Sequence, residues 1–319
     1  MAASTAHPIA SERLPTLVLC ESFDQRVLRA AQMLNQHRFA HVVLIGNYDE
    51  LERAAVGYRA NLDGIEVVDY ESPELRARLE AQLAGIDRGD GLDPTDPVIA
   101  GALMVRAGMA DAVLAGAATT PNYVMRTYLR LLGVADDCTT MSGMSLVTLD
   151  GVDFARHRVV GMADVSAVPE PTVEQLADIA IQSALNYERM TGLPARVAFL
   201  SFSTAGSAEH PAARKVREAV ELTRSRRPDL AVDGEMQIDA ALVPSAAGTK
   251  SPSSSVAGSA NVLVFPSLDA GNIAVKIFQK FTSCRVLGPV LQGLRFRGSY
   301  IPRAASAEDI VDQVRLLTS

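Results

Sequence analysis

The stretch "TLVLCESFDQRVLRAAQMLNQHRFAHVVLIG", Thr16 to Gly46, decides the fold. "TLVLC" is an apolar run of strand length. "DQRVLRAAQMLNQHRF" then places Val27, Leu28, Ala31 and Leu34 at helical spacing, and "HVVLIG" is a second apolar run. A strand, a helix and another strand at this pace make a crossover unit, so the strands are parallel and the helix packs on the sheet. Gly46 stands alone after the second run, so there is no glycine-rich dinucleotide fingerprint.

The same alternation continues outward. "YDELERAAVGY" reads as a helix, "GIEVVDY" as a strand, "DPVIAGALMVRAGMA" as a helix and "DAVLAGA" (Asp111 to Ala117) as a strand. "TTPNYVMRTYLRLLG" has a Thr-Pro helix start and a Gly133 stop. "GMSLVTLDGVDFARHRVVGMADV" is two strand-like runs around Asp150-Gly151, a hairpin pattern. "PEPTVEQLADIAIQSALNYERMTG" is a long amphipathic helix, opened by a capping box of Thr172 and Gln175. "ARVAFLSF" and "NVLVFP" are buried parallel-type strands, each followed by a helix. "KSPSSSVAGSA" (Lys250 to Ala260) reads as an exposed, mobile loop of small residues. With at least six buried strands, the chain is an α/β protein.

Composition narrows the function classes. The 319 residues suffice for two domains, and an apolar fraction of 48% supplies their cores. The net charge of −7, with no long basic block, argues against a nucleic-acid partner. The densest basic patch, "RSRRPD" (Arg224 to Asp229), reads as a solvated helix end. Cys20, Cys138 and Cys284 are too widely spaced for a cysteine metal site and, being odd in number, fit a reducing compartment. No basic start followed by an apolar segment opens the chain, and no apolar run reaches membrane-spanning length. A cytoplasmic protein with no membrane partner is expected.

Ligands of such sheets sit beyond the carboxyl ends of the strands. That directs attention to "AGAATTPN", "SFSTAGSAEH", "DGEMQIDAA" and "PSLDAGN". In "STAGS", Ser203, Thr204, Gly206 and Ser207 precede a helical run. Loop N–H groups and hydroxyls at a helix start make either an anion site or a capped turn, and the pattern leaves both open. "DGEMQIDAA" carries Asp233, Glu235 and Asp239 without His or Cys, which reads as a solvated loop rather than a metal site. Arg126 and Arg130 share a helix face, as a phosphate clamp or as surface charge. Asp309 follows Ser306 at the start of the last helical run, where a first-turn acid complements the helix dipole.

These loops, in this order, resemble the phosphate acetyltransferase/phosphate butyryltransferase family. The resemblance is carried by "DAVLAGAATT", "LSFSTAGSA", "PDLAVDGEMQIDAALVP", "SPSSSVAGSANVLVFPSLDAGNIAVKIFQK", "GPVLQG" and "SAEDIV". It spans Thr16 to the C-terminus and is densest from Arg196 to Gly293. It implies a two-domain, three-layer α/β/α fold with mostly parallel sheets and a cleft between the domains. The first domain would take residues 1–143 and 296–319, and the second 144–295. It further implies a homodimer that moves an acyl group between coenzyme A and phosphate, with coenzyme A, acyl phosphate and inorganic phosphate as substrates. No metal or tightly bound cofactor is implied.

Through "SAEDIV" the resemblance puts Arg303 and Asp309 at the catalytic arginine and aspartate positions. It assigns Arg126 to the phosphate-bearing substrate, and Ser203, Thr204, Gly206 and Ser207 to phosphate or acyl phosphate. Two departures stand out. The family serine before the arginine falls on Pro302, and in "ELRARLEAQLAGIDRGDG" neither Arg76, Arg78 nor Arg88 matches a second substrate-binding arginine. Ser299, Tyr300 and Ser306 are the nearby hydroxyls that could replace the serine. A phosphate acetyltransferase is therefore expected. A catalytically degenerate acyl-CoA-binding or regulatory homologue, and an enzyme for propionyl or butyryl groups, are the alternatives.

Overall fold

The computed structural model describes residues 13–70, 72–86, 91–149 and 157–319. The chain divides into two compact units, Met1–Asp137 with Leu294–Ser319, and Cys138–Gly293.

Among the described residues the first unit holds a five-stranded sheet. Its strands are β1 (Thr16–Leu19), β2 (His41–Ile45), β3 (Glu66–Val68), β4 (Ala112–Ala115) and, from the last part of the chain, β11 (Arg297–Tyr300). Their order is β11-β4-β1-β2-β3, and every pair is parallel. Leu17, Val18 and Leu19 are fully buried, as a strand covered on both faces demands. Helix α1 (Gln25–Gln36) follows β1 and turns Val27, Leu28, Ala30, Ala31 and Leu34 into the core. Helices α2 (Tyr48–Tyr58) and α3 (Pro73–Ala84) come next. In α4 (Pro97–Arg106), Gly101 lies against the sheet, where a Cβ would stand 2.5 Å from Cys20 Sγ. Helix α5 (Pro121–Leu131) starts on the Thr120 cap with proline in its first turn, as its sequence predicts. Helix α11 (Ala307–Thr318) closes the unit.

Among the described residues the second unit holds a six-stranded sheet in the order β10-β5-β6-β9-β7-β8. These are β5 (Ser142–Thr148), β6 (Val159–Ala163), β7 (Arg196–Leu200), β8 (Ala231–Met236), β9 (Val262–Val264) and β10 (Val286–Gln292). The β6-β9-β7-β8 part is parallel, while β5 runs antiparallel to both β6 and β10. The β5–β6 pairing is the expected hairpin, although its Asp150-Gly151 turn lies outside the described residues. Helix α6 (Val173–Thr191) opens with the Thr172–Gln175 capping box. Helix α7 (Pro211–Arg226) follows β7, and α8 (Ile238–Leu242), α9 (Pro244–Lys250) and α10 (Leu268–Phe281) complete the unit.

Both sheets carry helices on their faces, so the α/β/α reading holds. Two local expectations need correction. The segment Lys250–Ala260 is exposed only at its start, since Val256, Ser259 and Ala260 are buried: apolar Val256 joins the core beneath β9. "DGEM" is the end of β8, not a loop, and its Glu235 is 2% exposed. The basic patch at the end of α7 is neutralised internally, with Arg224 on Asp233, Arg226 on Asp178 and Arg227 on Asp229.

Candidate active site

Parallel strands deliver their following loops to one edge of a sheet, and the marked loops lie at such edges. In the first unit, β1, β4 and β11 are neighbours, so the segments after Leu19, Ala115 and Tyr300 emerge side by side. Gly116 permits this closeness. Its φ is +108°, and a Cβ there would stand 3.0 Å from the Ile301 carbonyl oxygen.

The "GAAT" loop after β4 is folded around a carboxylate. Glu21, 2% exposed, accepts from the N–H groups of Gly116 and Ala117 at 2.5 Å each. It also accepts from the N–H groups of Ala118 (3.1 Å) and Thr119 (2.7 Å), and from the Thr119 hydroxyl (2.7 Å). Four backbone donors that could hold a ligand anion are thus occupied by the protein's own.

Two arginines of this unit, Arg303 and Arg126, remain available. Arg303 is exposed on the β11–α11 connection, and among the described residues its guanidinium has no partner. Asp309 sits six residues on, exposed, as the acid of a capping box with Ser306. Its Oδ2 accepts from the Ser306 N–H at 2.9 Å, and its own N–H donates to Ser306 Oγ at 3.1 Å. The first-turn role expected of Asp309 is therefore real, and Oδ1 is left over. Arg126 is exposed on α5 and likewise has no partner among the described residues. It borders a cavity of about 490 Å³ together with Asp93, Asp96, Tyr123 and Arg130. Both carboxylates of this cavity are engaged. Asp93 holds Thr95, while Asp96 caps α4 and accepts from Tyr123 Oη at 2.8 Å. Burial, then the bond to Asp96, pushes the Tyr123 hydroxyl up to about 12, so it stays a neutral donor.

In the second unit the "STAGS" loop answers both ways at once. It binds an anion, and the anion is Glu235. Glu235 Oε1 accepts from Ser203 Oγ at 2.7 Å, from the Gly206 N–H at 3.1 Å and from Arg217 at 3.1 Å. The other loop donors are used internally too: Thr204 N–H on Ser207 Oγ, Ala205 N–H on the Glu235 carbonyl and Ala208 N–H on Ser203 Oγ. Thr204 Oγ1 accepts from the Gln237 N–H. Ser203 and Thr204 are buried inside this network, whereas Gly206 and Ser207 are exposed. Gly206 has φ +77°, which a turn this tight requires.

A sequence model described as phosphate acetyl/butaryl transferase matches residues 4–318. The chain belongs to this family of acyltransferases. It is 36% identical over 309 residues to the phosphate acetyltransferase of Acetivibrio thermocellus, covering 95% of this chain and 92% of that one. The phosphate acetyltransferase of Bacillus subtilis is 33% identical over 300 residues, covering 92% and 91%. Among solved structures, a phosphotransacetylase from Streptococcus pyogenes superposes with a TM-score of 0.89 at 31% identity, covering 97% and 94%.

Sequence reading gave no role to three buried carboxylates at the strand ends, Glu21, Glu235 and Asp164. Glu21 follows β1 after Cys20, and Glu235 falls at the end of β8. Asp164, just after β6, accepts from the N–H groups of Gly143, Ser166, Ala167 and Val168. The signal was an acid at the carboxyl end of a buried strand, which has no reason to be there unless loop donors surround it. Two of the three hydroxyls offered in place of the family serine are already employed. Ser299 is buried and accepts from Gln313, and Ser306 Oγ caps α11.

Proposed function

We propose that this chain is a phosphate acetyltransferase, exchanging an acetyl group between coenzyme A and phosphate. Family membership supports this reading, and one geometric observation carries it. Arg303, on the β11–α11 connection with a guanidinium that has no partner among the described residues, and Asp309, a partly free carboxylate in the first turn of α11, stand six residues apart at the carboxyl edge of a parallel sheet.

In the scheme these residues suggest, Asp309 accepts the thiol proton of coenzyme A. The thiolate attacks the carbonyl carbon of acetyl phosphate, and Arg303 stabilises the oxyanion of the tetrahedral intermediate. The C–O bond to phosphate then breaks, leaving the thioester and inorganic phosphate. Arg126, with Arg130 one turn on in the same cavity, suits a phosphate group of coenzyme A. Gly206 and Ser207 suit the phosphoryl end, while Ser203 and Thr204 shape their loop. No metal or tightly bound cofactor enters this scheme.

We further propose a homodimer. Ile273, Ile277 and Phe281 form an exposed apolar stripe on α10, a surface that a second copy would cover. A cytoplasmic location agrees with Cys20, Cys138 and Cys284 forming no disulfide.

The test is thioester formation, followed by absorbance, from coenzyme A with acetyl, propionyl or butyryl phosphate. Fastest turnover on acetyl phosphate is expected, and faster propionyl or butyryl transfer overturns the acetyl assignment. Pro302 favours a second reading, an acyl-CoA-binding protein without turnover. Binding of acetyl-CoA with no thioester formed on any substrate would establish that reading instead.

A further inference from the structure

Arg26, in the first turn of α1, is a heavily bonded guanidinium that the scheme above does not use. Its Nε and Nη2 donate to the two carboxylate oxygens of Asp24, at 3.0 and 2.7 Å. Nη2 also donates to the Ala117 carbonyl at 2.8 Å. Nη1 donates to the carbonyls of Arg303 (2.7 Å) and Ala305 (3.2 Å). A guanidinium has five N–H donors in a fixed plane, and all of them are committed here. Arg26 therefore keeps none for a substrate phosphate.

The acceptors lie on the segments that follow three adjoining strands: Asp24 after β1, Ala117 after β4, Arg303 and Ala305 after β11. Two of them bracket the turn between Arg303 and the Ser306 cap, a turn also closed by the Ala305 N–H on the Pro302 carbonyl at 2.9 Å. The Arg303 side chain is exposed and without a partner among the described residues. Its aim then depends on its backbone, and that backbone is anchored through its own carbonyl. Asp309 has a separate anchor in the capping box.

We infer that Arg26 is a positioning residue for acyl transfer, clamping the β1, β4 and β11 loops so that the Arg303 guanidinium is presented at a fixed place. The inference rests on the reading of Arg303 as the oxyanion-stabilising group. A lysine cannot reproduce the clamp, because an ammonium lacks the planar fork that reaches a carboxylate and three carbonyls together.

The experiment is a double-mutant cycle on the full chain with acetyl phosphate and coenzyme A. Arg26→Lys should lower kcat roughly ten- to hundredfold, since a displacement of about 1 Å at a reacting centre costs that much, with less than about threefold change in either KM. In the Arg303→Ala background the same substitution should change kcat less than about twofold, because residues acting as one unit are not additive. Equal losses in both backgrounds mean that Arg26 acts on general stability, and they overturn the inference. A parent-like rate for Arg26→Lys beside a slow Arg303→Ala overturns the inference alone. A parent-like rate for Arg303→Ala overturns the reading of Arg303 and the inference with it. Should Arg26→Lys not fold, Asp24→Asn replaces it in the cycle. Asparagine still caps α1 but no longer orients the guanidinium by charge, and an unchanged kcat there rejects the proposal.

Discussion

The loop after β4 and the loop after β7 are built on one plan and end with different chemistry. Each curls its N–H groups around a buried carboxylate, Glu21 in the first case and Glu235 in the second. The Glu21 loop satisfies its acid with backbone and one threonine, so no arginine hydrogen-bonds that carboxylate, and among the described residues the guanidinium groups of Arg126 and Arg303 have no partner. The Glu235 loop recruits Arg217, whose guanidinium pairs with the buried acid. A loop rich in donors is thus weak grounds for a phosphate site until its own acids are counted. The difference is in how charge is spent: among the described residues the first unit leaves the guanidinium groups of Arg126 and Arg303 without partners, whereas the second satisfies its buried acid with an arginine of its own.

The most severe way to break this comparison is Glu21→Ala. Four N–H groups and a hydroxyl lose a charged acceptor in a buried place. At ~1.5–3 kcal/mol for each bond to a charge, with partial relaxation, a stability loss of about 4 kcal/mol or more is expected in urea denaturation. A loss under about 1 kcal/mol would mean that the loop does not depend on its acid. Next comes Arg303→Ala, which removes an exposed side chain from the same edge. It should leave the denaturation midpoint in place and lower kcat by about a hundredfold or more, near 3 kcal/mol. Wild-type turnover would take Arg303 out of the site.

Arg126→Ala sharpens the claim that free charge resides in the first unit. A phosphate clamp acts in ground and transition states alike, so KM should rise about tenfold with a smaller change in kcat. Unchanged KM for both coenzyme A and acetyl phosphate sinks that role. Pro302→Ser probes the same connection in the opposite direction. Proline can donate no hydrogen bond, and a hydroxyl bonded to a charged group is worth roughly 1.5–3 kcal/mol, so a gain of about tenfold on acetyl phosphate is expected. Because Arg26 holds the Arg303 carbonyl, freeing residue 302 does not release the turn. No gain on any acyl phosphate shows the hydroxyl to be dispensable. The smallest effect belongs to the second unit. Ser207→Ala should raise KM for phosphate only a few-fold, the scale of one neutral hydrogen bond at about 1 kcal/mol. A rise as large as that of Arg126→Ala would abolish the contrast between the two loops.

The layered α/β architecture was legible in the sequence because burial writes itself in period. The apolar runs at Leu17–Leu19 and Val42–Ile45 and the spacing of Val27, Leu28, Ala31 and Leu34 each bury as that spacing requires. Capping was legible for the same local reason, as at Thr172–Gln175. So was the family, since its motifs are short contiguous strings. Three things were decided only by tertiary structure. Strand β11 is four residues long and finds its place by pairing with β4, nearly two hundred positions earlier in the chain. Glu235 reads as one of three solvated acids until β8 lies beside β7 and turns it into the "STAGS" loop. Arg26 has no assigned role in the sequence until Ala117, Arg303 and Ala305 arrive from distant segments. The physical reason is common to all three. Apolar periodicity reports which face of an element is buried, a property of neighbours in sequence. A buried charge is tolerated only where distant donors converge on it, and only the folded chain brings those donors together.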